Sequence, residues 1–120
     1  MAIKKIRSDN MQLVYVAGPY RGKSKIKIIN YMQRQINIAK ARLVAQELWK
    51  AGFAVICPHS NSANFDGICD DKIFLEGDKE ILKRCDLIVL LPRWEESEGT
   101  KAEMLFACDN GIEVVEWEDL

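Results

Sequence analysis

The stretch Leu87-Ile88-Val89-Leu90-Leu91, running through Pro92 and Trp94 into Ser97-Glu98-Gly99-Thr100-Lys101-Ala102-Glu103, decides the fold. Five successive apolar residues suit a strand buried on both faces, as in a parallel sheet. A Gly-containing turn and a helix-forming run follow, and strand–turn–helix units of this kind are where α/β proteins hold substrates. The spacing places the Glu103 carboxylate in the first turn of that helix. Upstream, Asp78 and Asp86 bracket the amphipathic segment that leads into the strand.

Working outward, the same alternation recurs. Gln12 to Ala17 carries the β-rich run Leu13-Val14-Tyr15-Val16 and stops at the turn signal Gly18-Pro19. From about Asn30 to Ala51, Met32, Ile36, Ala39, Leu43 and Leu48 recur at near-helical spacing, which predicts an amphipathic helix ended by Gly52. Phe53 to Cys57 reads as a short strand cut at Pro58, and Asn61 to Asp71 as a polar loop. Phe74 to Arg84 reads as a second helix with Leu75, Ile81 and Leu82 inward. Glu98 to Asn110 reads as a third, and Ile112 to Trp117 as the last strand. Strands alternating with helices imply a doubly wound, Rossmann- or flavodoxin-like α/β domain. Its parallel sheet of four or five strands has helices on both faces and spans residues 11–120.

Composition excludes several classes of function. A formal net charge of -1 gives no global field to recruit nucleic acid or an anionic membrane. No apolar run approaches the roughly 20 residues of a membrane span. Cys57, Cys69, Cys85 and Cys108 are scattered, without a C-x-x-C pair, and there is one histidine. That argues against a zinc site and for a reduced, cytoplasmic protein, with Cys57 and Cys85 as small core residues. Met1 to Asn10, carrying Lys4, Lys5 and Arg7, reads as a loosely held, flexible extension.

Three separated segments follow strand carboxyl ends and so converge on one rim: Gly18 to Gly22, Pro58-His59, and Trp94 to Glu103. In Gly18-Pro19-Tyr20-Arg21-Gly22 the glycines admit close approach of a ligand, and Arg21 offers a charge-assisted fork to an anion. The bland reading is an ordinary Gly-Pro turn with a solvated arginine. Thr100-x-x-Glu103 is equally a capping box, in which the threonine caps the helix and the glutamate returns to its N–H. A helix N-terminus would then favour the ionised glutamate. Asp78 reads as a residue at the start of its helix, Asp86 as a turn or cap residue, and His59 as a substrate contact or a structural hydrogen-bonding group. Trp94 either stacks on a base or closes over apolar neighbours. Lys23 to Lys27 is a solvated loop or a phosphate-attracting lid.

Taken in order, these residues resemble the nucleoside 2-deoxyribosyltransferase superfamily, in particular its small bacterial and phage branch. The anchors run from Val14-Tyr15-Val16-Ala17-Gly18-Pro19-Tyr20-Arg21-Gly22 through Asn37, Leu48-Trp49-x-x-Gly52 and Pro58-His59. They continue with Asp78, eight residues before Asp86, and with Leu91-Pro92-x-Trp94-Glu95-x-Ser97-x-Gly99-Thr100-x-x-Glu103. The resemblance implies that Glu103 attacks the anomeric carbon of a nucleoside and that Asp78 orients the sugar or protonates the leaving base. It implies no metal or organic cofactor, a small-molecule nucleoside or nucleotide as partner, and a homo-oligomer. Classical members carry an aspartate for the free 5′-hydroxyl where this chain has Ser97. A serine can donate to a phosphate that an aspartate would repel, as in the nucleotide-hydrolysing branch. The expectation is therefore cleavage of the N-glycosidic bond of a (deoxy)nucleoside 5′-monophosphate. Gly18, Pro19, Arg21, Gly22, Ser97, Gly99 and Thr100 would hold phosphate and sugar, with Tyr15, Tyr20, His59 and Trp94 near sugar or base. Base exchange between free nucleosides, and nucleotide sensing without cleavage, are the alternatives.

Overall fold

The computed structural model describes residues 11–120, so the expected extension of residues 1–10 lies outside the described residues. Strands β1 (Leu13–Ala17), β2 (Ala54–Ile56), β3 (Leu87–Leu90) and β4 (Glu113–Glu116) form one parallel sheet in the order β2-β1-β3-β4. Helix α1 (Lys27–Lys50) joins β1 to β2. The short α2 (Pro58–Asn61) and α3 (Asp71–Lys83) join β2 to β3, and α4 (Glu98–Asp109) joins β3 to β4. This is the doubly wound fold that the alternation implies, with four strands.

The two-residue period of a strand sorts the core into two layers. Val14 and Val16 of β1, with Leu87 and Val89 of β3, pack against Ala41, Ala45 and Leu48 of α1. Tyr15 and Ala17, with Ile88 and Leu90, point the other way, towards Leu82 of α3 and Ala107 of α4. Cys57 and Cys85 are buried in these two layers as small core residues, and all four cysteines are free thiols. Among the described residues no helix is long and apolar enough to cross a membrane.

Three local readings are corrected. The core face of α1 is Ile38, Ala41, Ala45 and Leu48. Of the stripe read from the sequence only Leu48 is buried, while Met32, Ile36 and Leu43 are 57%, 52% and 62% exposed and Ala39 faces solvent. The 24-residue helix carries two apolar stripes, and spacing alone does not say which one meets the sheet. Helix α3 starts at Asp71, capped by the Asp70 carboxylate accepting from the Lys72 N–H at 2.9 Å, so Asp78 lies in mid-helix rather than at its start. Helix α4 is capped by Ser97 rather than Thr100. Asp86 is structural, as the turn reading had it: its carboxylate accepts the Leu13 N–H at 2.7 Å and its own N–H donates to the Leu13 carbonyl at 2.8 Å.

The sheet order fixes where a ligand can enter. The chain leaves β1 towards β2 on one side and leaves β3 towards β4 on the other, so the loops after β1 and β3 diverge and open a crevice between them. Glycine at position 18 keeps that crevice's floor tight. A Cβ there would lie 2.7 Å from the Leu91 Cβ, closer than packed carbon atoms approach.

Candidate active site

A cleft of about 580 Å³ occupies this crevice. Its floor is the end of β1 and the Gly18-Pro19-Tyr20-Arg21 turn. One wall is α3, which presents Asp71, Phe74, Leu75 and Asp78. The opposite wall is the start of α4, with Ser97, Gly99 and Glu103, and His59 and Asp66 close the remaining side.

Because Ser97 is the cap, α4 begins three residues earlier than a Thr100 cap would allow, and Glu103 falls in the second turn. Ser97 Oγ accepts from the Thr100 N–H at 3.2 Å and from the Thr100 hydroxyl at 2.9 Å. Thr100 is buried behind the cleft wall and supports Ser97, which keeps its own hydroxyl proton to donate into the cleft. Glu103 closes no capping box. Its carboxylate accepts a hydrogen bond from the hydroxyl of Tyr15, a fully buried side chain of β1.

That placement reverses the electrostatic expectation. Burial raises the Glu103 carboxyl to about 7; the Tyr15 hydrogen bond opposes the rise and the neighbouring Asp78 adds to it. Burial raises Asp78 to about 6. Tyr15 is pushed far up by burial and by both carboxylates, so it stays a donor throughout the neutral range. Two carboxyls of raised pKa facing one cleft hold about one proton between them near pH 6.5.

The other expected residues divide into three groups. Gly18, Pro19, Tyr20, Arg21, His59, Ser97 and Gly99 line the cleft with Asp78 and Glu103. A Cβ on Gly99 would meet nothing nearer than Ser97 Oγ at 4.0 Å, so this residue leaves the helix N-terminus open to the cleft. His59 is buried and Nε2 donates to the Pro19 carbonyl at 2.8 Å, while its ring meets Tyr20 edge-on at 5.2 Å. Burial holds its pKa down, so it is a neutral buttress of the turn. Gly22 and Tyr15 stand behind the walls. A Cβ at Gly22 would lie 2.7 Å from the Asn30 Cα, which makes glycine the residue that lets the turn meet α1. Trp94 is not in the cleft: it packs on the α4 side of the core and its indole N–H donates to Glu116 at 2.8 Å.

Sequence reasoning missed Asp66, Asp71 and Phe74, and had Lys23 only as part of a solvated loop or phosphate-attracting lid. Lys23 lines the cleft and donates to the Glu96 carbonyl, tying the two rim turns together. The signal available for α3 was its period: Asp71, Phe74, Leu75, Asp78 and Leu82 fall on one face, so two carboxylates share a stripe with three apolar residues. Asp66 and Asp71 pair with Arg21 across 45 and 50 residues, which local patterning does not register.

Residues 12–116 match the family model described as a domain of unknown function, DUF4406. The chain belongs to that family. Among solved structures it is similar to the 2-deoxyribosyltransferase of the psychrotolerant bacterium Bacillus psychrosaccharolyticus. The TM-score is 0.60 and the identity 18%, over 87% of this chain and 70% of that one. No curated protein matches the DUF4406 chain in sequence. The deoxyribosyltransferase fold that the sequence resembles is therefore the fold this chain adopts.

Proposed function

We propose that this DUF4406 protein cleaves the N-glycosidic bond of a (deoxy)nucleoside 5′-monophosphate. The observation that carries the reading is the shared cleft of Glu103 and Asp78, with Glu103 held by the Tyr15 hydroxyl. Glycoside cleavage through an oxocarbenium-like transition state calls for one carboxylate to capture the anomeric carbon and another to handle the leaving group's proton. The Glu103 oxygen attacks C1′ as the C1′–N bond breaks, and protonated Asp78 delivers its proton to the departing base. Water, deprotonated by Asp78, then attacks C1′ of the glycosyl-Glu103 ester, releasing the sugar phosphate and returning the proton to Asp78. The Ser97 hydroxyl, the open helix end at Gly99 and the Gly18 to Arg21 turn suit a phosphate. No metal or organic cofactor enters this scheme.

The similarity to a protein named as a 2-deoxyribosyltransferase supports a second outcome, in which a second base rather than water resolves the intermediate. Incubation with a panel of nucleosides and 5′-monophosphates, followed by chromatography, tests both. Free base released by wild type and lost in Glu103→Gln supports cleavage, and exchanged base on adding a second one makes it a transferase. Nucleotide bound with no base released supports sensing instead.

For assembly, the exposed residues of α1 support a homo-oligomer. Ile29, Met32, Ile36, Ala39 and Leu43 recur at intervals of three and four, a seam that a second copy of the same helix can match.

A further inference from the structure

Among the described residues Arg21 is the one arginine lining the cleft, and both of its terminal nitrogens are engaged. Nη2 contacts Asp71 Oδ2 at 2.9 Å and Nη1 contacts Asp66 Oδ2 at 3.5 Å. These are the two nitrogens that a phosphate would engage as a fork. Among the described residues the cleft has six carboxyl-bearing residues, Asp66, Asp71, Asp78, Glu96, Glu98 and Glu103, against two cationic side chains, Arg21 and Lys23. A phosphate dianion entering with these pairs intact meets repulsion and no free guanidinium.

We propose that Asp66 and Asp71 are specificity-determining residues that occupy Arg21 in place of substrate anion, so that a phosphorylated substrate binds by exchanging with them. The proposal rests on the reading of the cleft as a nucleotide or nucleoside site.

The surroundings make the exchange cheap for both carboxylates. Asp71 has Arg21 as its ion-pair partner, and both side chains are 61% exposed, so solvent takes over the hydration of Asp71 when the pair opens. Asp66 lies between two arginines. Its Oδ2 is also 3.6 Å from Arg34 Nη1, and its Oδ1 accepts from the Tyr20 hydroxyl at 3.3 Å. Arg34 is less exposed than Arg21, at 25%, and its Nε is a buried donor with no partner. A carboxylate released from Arg21 therefore has a second, drier cation with an unfilled donor beside it. Asp66 keeps Arg34 as its partner when it leaves Arg21, and moving closer to it gives an orphaned N–H an acceptor. A neutral nucleoside gains nothing from the exchange and leaves the pairs closed, so the two aspartates discriminate on substrate charge.

The test measures binding of each deoxynucleoside 5′-monophosphate and its parent deoxynucleoside by calorimetry, in the Glu103→Gln background to prevent turnover. Asp71→Asn removes one competitor and its charge without touching the Asp66 anchor. It should tighten monophosphate binding about tenfold and leave the nucleoside unchanged. Asp66→Asn combined with Asp71→Asn should tighten it further, and Arg21→Gln added to either should erase the gain. Equal effects on nucleoside and monophosphate, weaker monophosphate binding in Asp71→Asn, or no binding of either ligand to any of these proteins overturns the proposal. Should Asp66→Asn perturb the loop, Asp71→Asn decides alone. The catalytic reading fails separately: the binding pattern without base release from wild type leaves the proposal standing, and base release without the pattern removes it.

Discussion

Replacing Glu103 with glutamine should make the protein more stable at alkaline pH while abolishing its proposed chemistry. Glutamine keeps the size of the side chain and an oxygen to accept the Tyr15 hydroxyl, and it has no charge to bury. The wild-type carboxyl moves from 4.5 in the unfolded chain to about 7 in the fold, chiefly through burial. A raised carboxyl pKa means that the folded state binds more protons, so stability falls as pH climbs from the unfolded value through the folded one. At pH 8 the linkage relation gives a penalty of about 3 kcal/mol for ionising Glu103 inside the fold, against about 1 kcal/mol at pH 5. Glu103→Gln carries neither penalty. Its stability relative to wild type should therefore improve by about 2 kcal/mol between pH 5 and pH 8, as measured by urea denaturation at both values. Base release should meanwhile fall by several orders of magnitude, since an amide is no anionic nucleophile. A stability gap that stays constant with pH, or that turns against the variant at pH 8, would refute the burial argument. Intact base release would remove Glu103 from the chemistry.

The reaction requires ionised Glu103 and protonated Asp78, which is the minority arrangement of the shared proton because Glu103 has the higher pKa; kcat/KM should still be bell-shaped, with limbs near about 6 and about 7 that belong to the pair. A profile flat from pH 5 to 8 would count against two-carboxylate catalysis. Asp78→Asn should slow base release less than Glu103→Gln does, abolish the alkaline limb and leave a single acidic limb that belongs to Glu103, below about 7 because the charge that helps raise it is gone. Gly18→Ala should destabilise the fold by about 1–3 kcal/mol in denaturant titration, because its Cβ collides with Leu91, while Gly99→Ala folds normally and weakens nucleotide binding. Light scattering should find an oligomer that Ile36→Glu dissociates; a monomeric wild type at micromolar concentration would refute assembly through α1.

The sheet was legible because its strands carry their burial in local pattern. Val14 and Val16 against Tyr15 and Ala17 sort by parity, and the run from Leu87 to Leu90 is buried throughout. Helix α1 was legible as a helix but not in its orientation. Met32, Ile36, Ala39 and Leu43 form a better-spaced apolar series than the Ala-rich face of Ala41 and Ala45 that meets the sheet. Small residues are what close helix–sheet packing requires, and they score weakly as hydrophobic. The two cleft carboxylates were legible as a pair, whereas the ion pairs of Arg21 were not, since they depend on which loop folds over which turn.

The choice of cap shows how one local decision propagates to chemistry. Ser97 and Thr100 are both good N-cap residues three positions apart, and each spacing completes a plausible start for α4. With Thr100 as cap, Glu103 sits in the first turn, bonded to a backbone N–H and stabilised as an anion. With Ser97 as cap, the same residue moves to the second turn and faces Tyr15 on β1, where burial raises its pKa instead. What tips the balance is tertiary: the Thr100 hydroxyl points inward, fully buried, and bonds Ser97 Oγ, so it is spent on supporting the turn. Tyr15 completes the logic. An otherwise apolar strand interior carries one hydroxyl, and that hydroxyl needs a buried acceptor, which Glu103 supplies. The centre of the sheet thereby fixes the carboxylate's position, while Arg21 and Asp66 stand outside the strands and helices, on a turn and a loop at the rim.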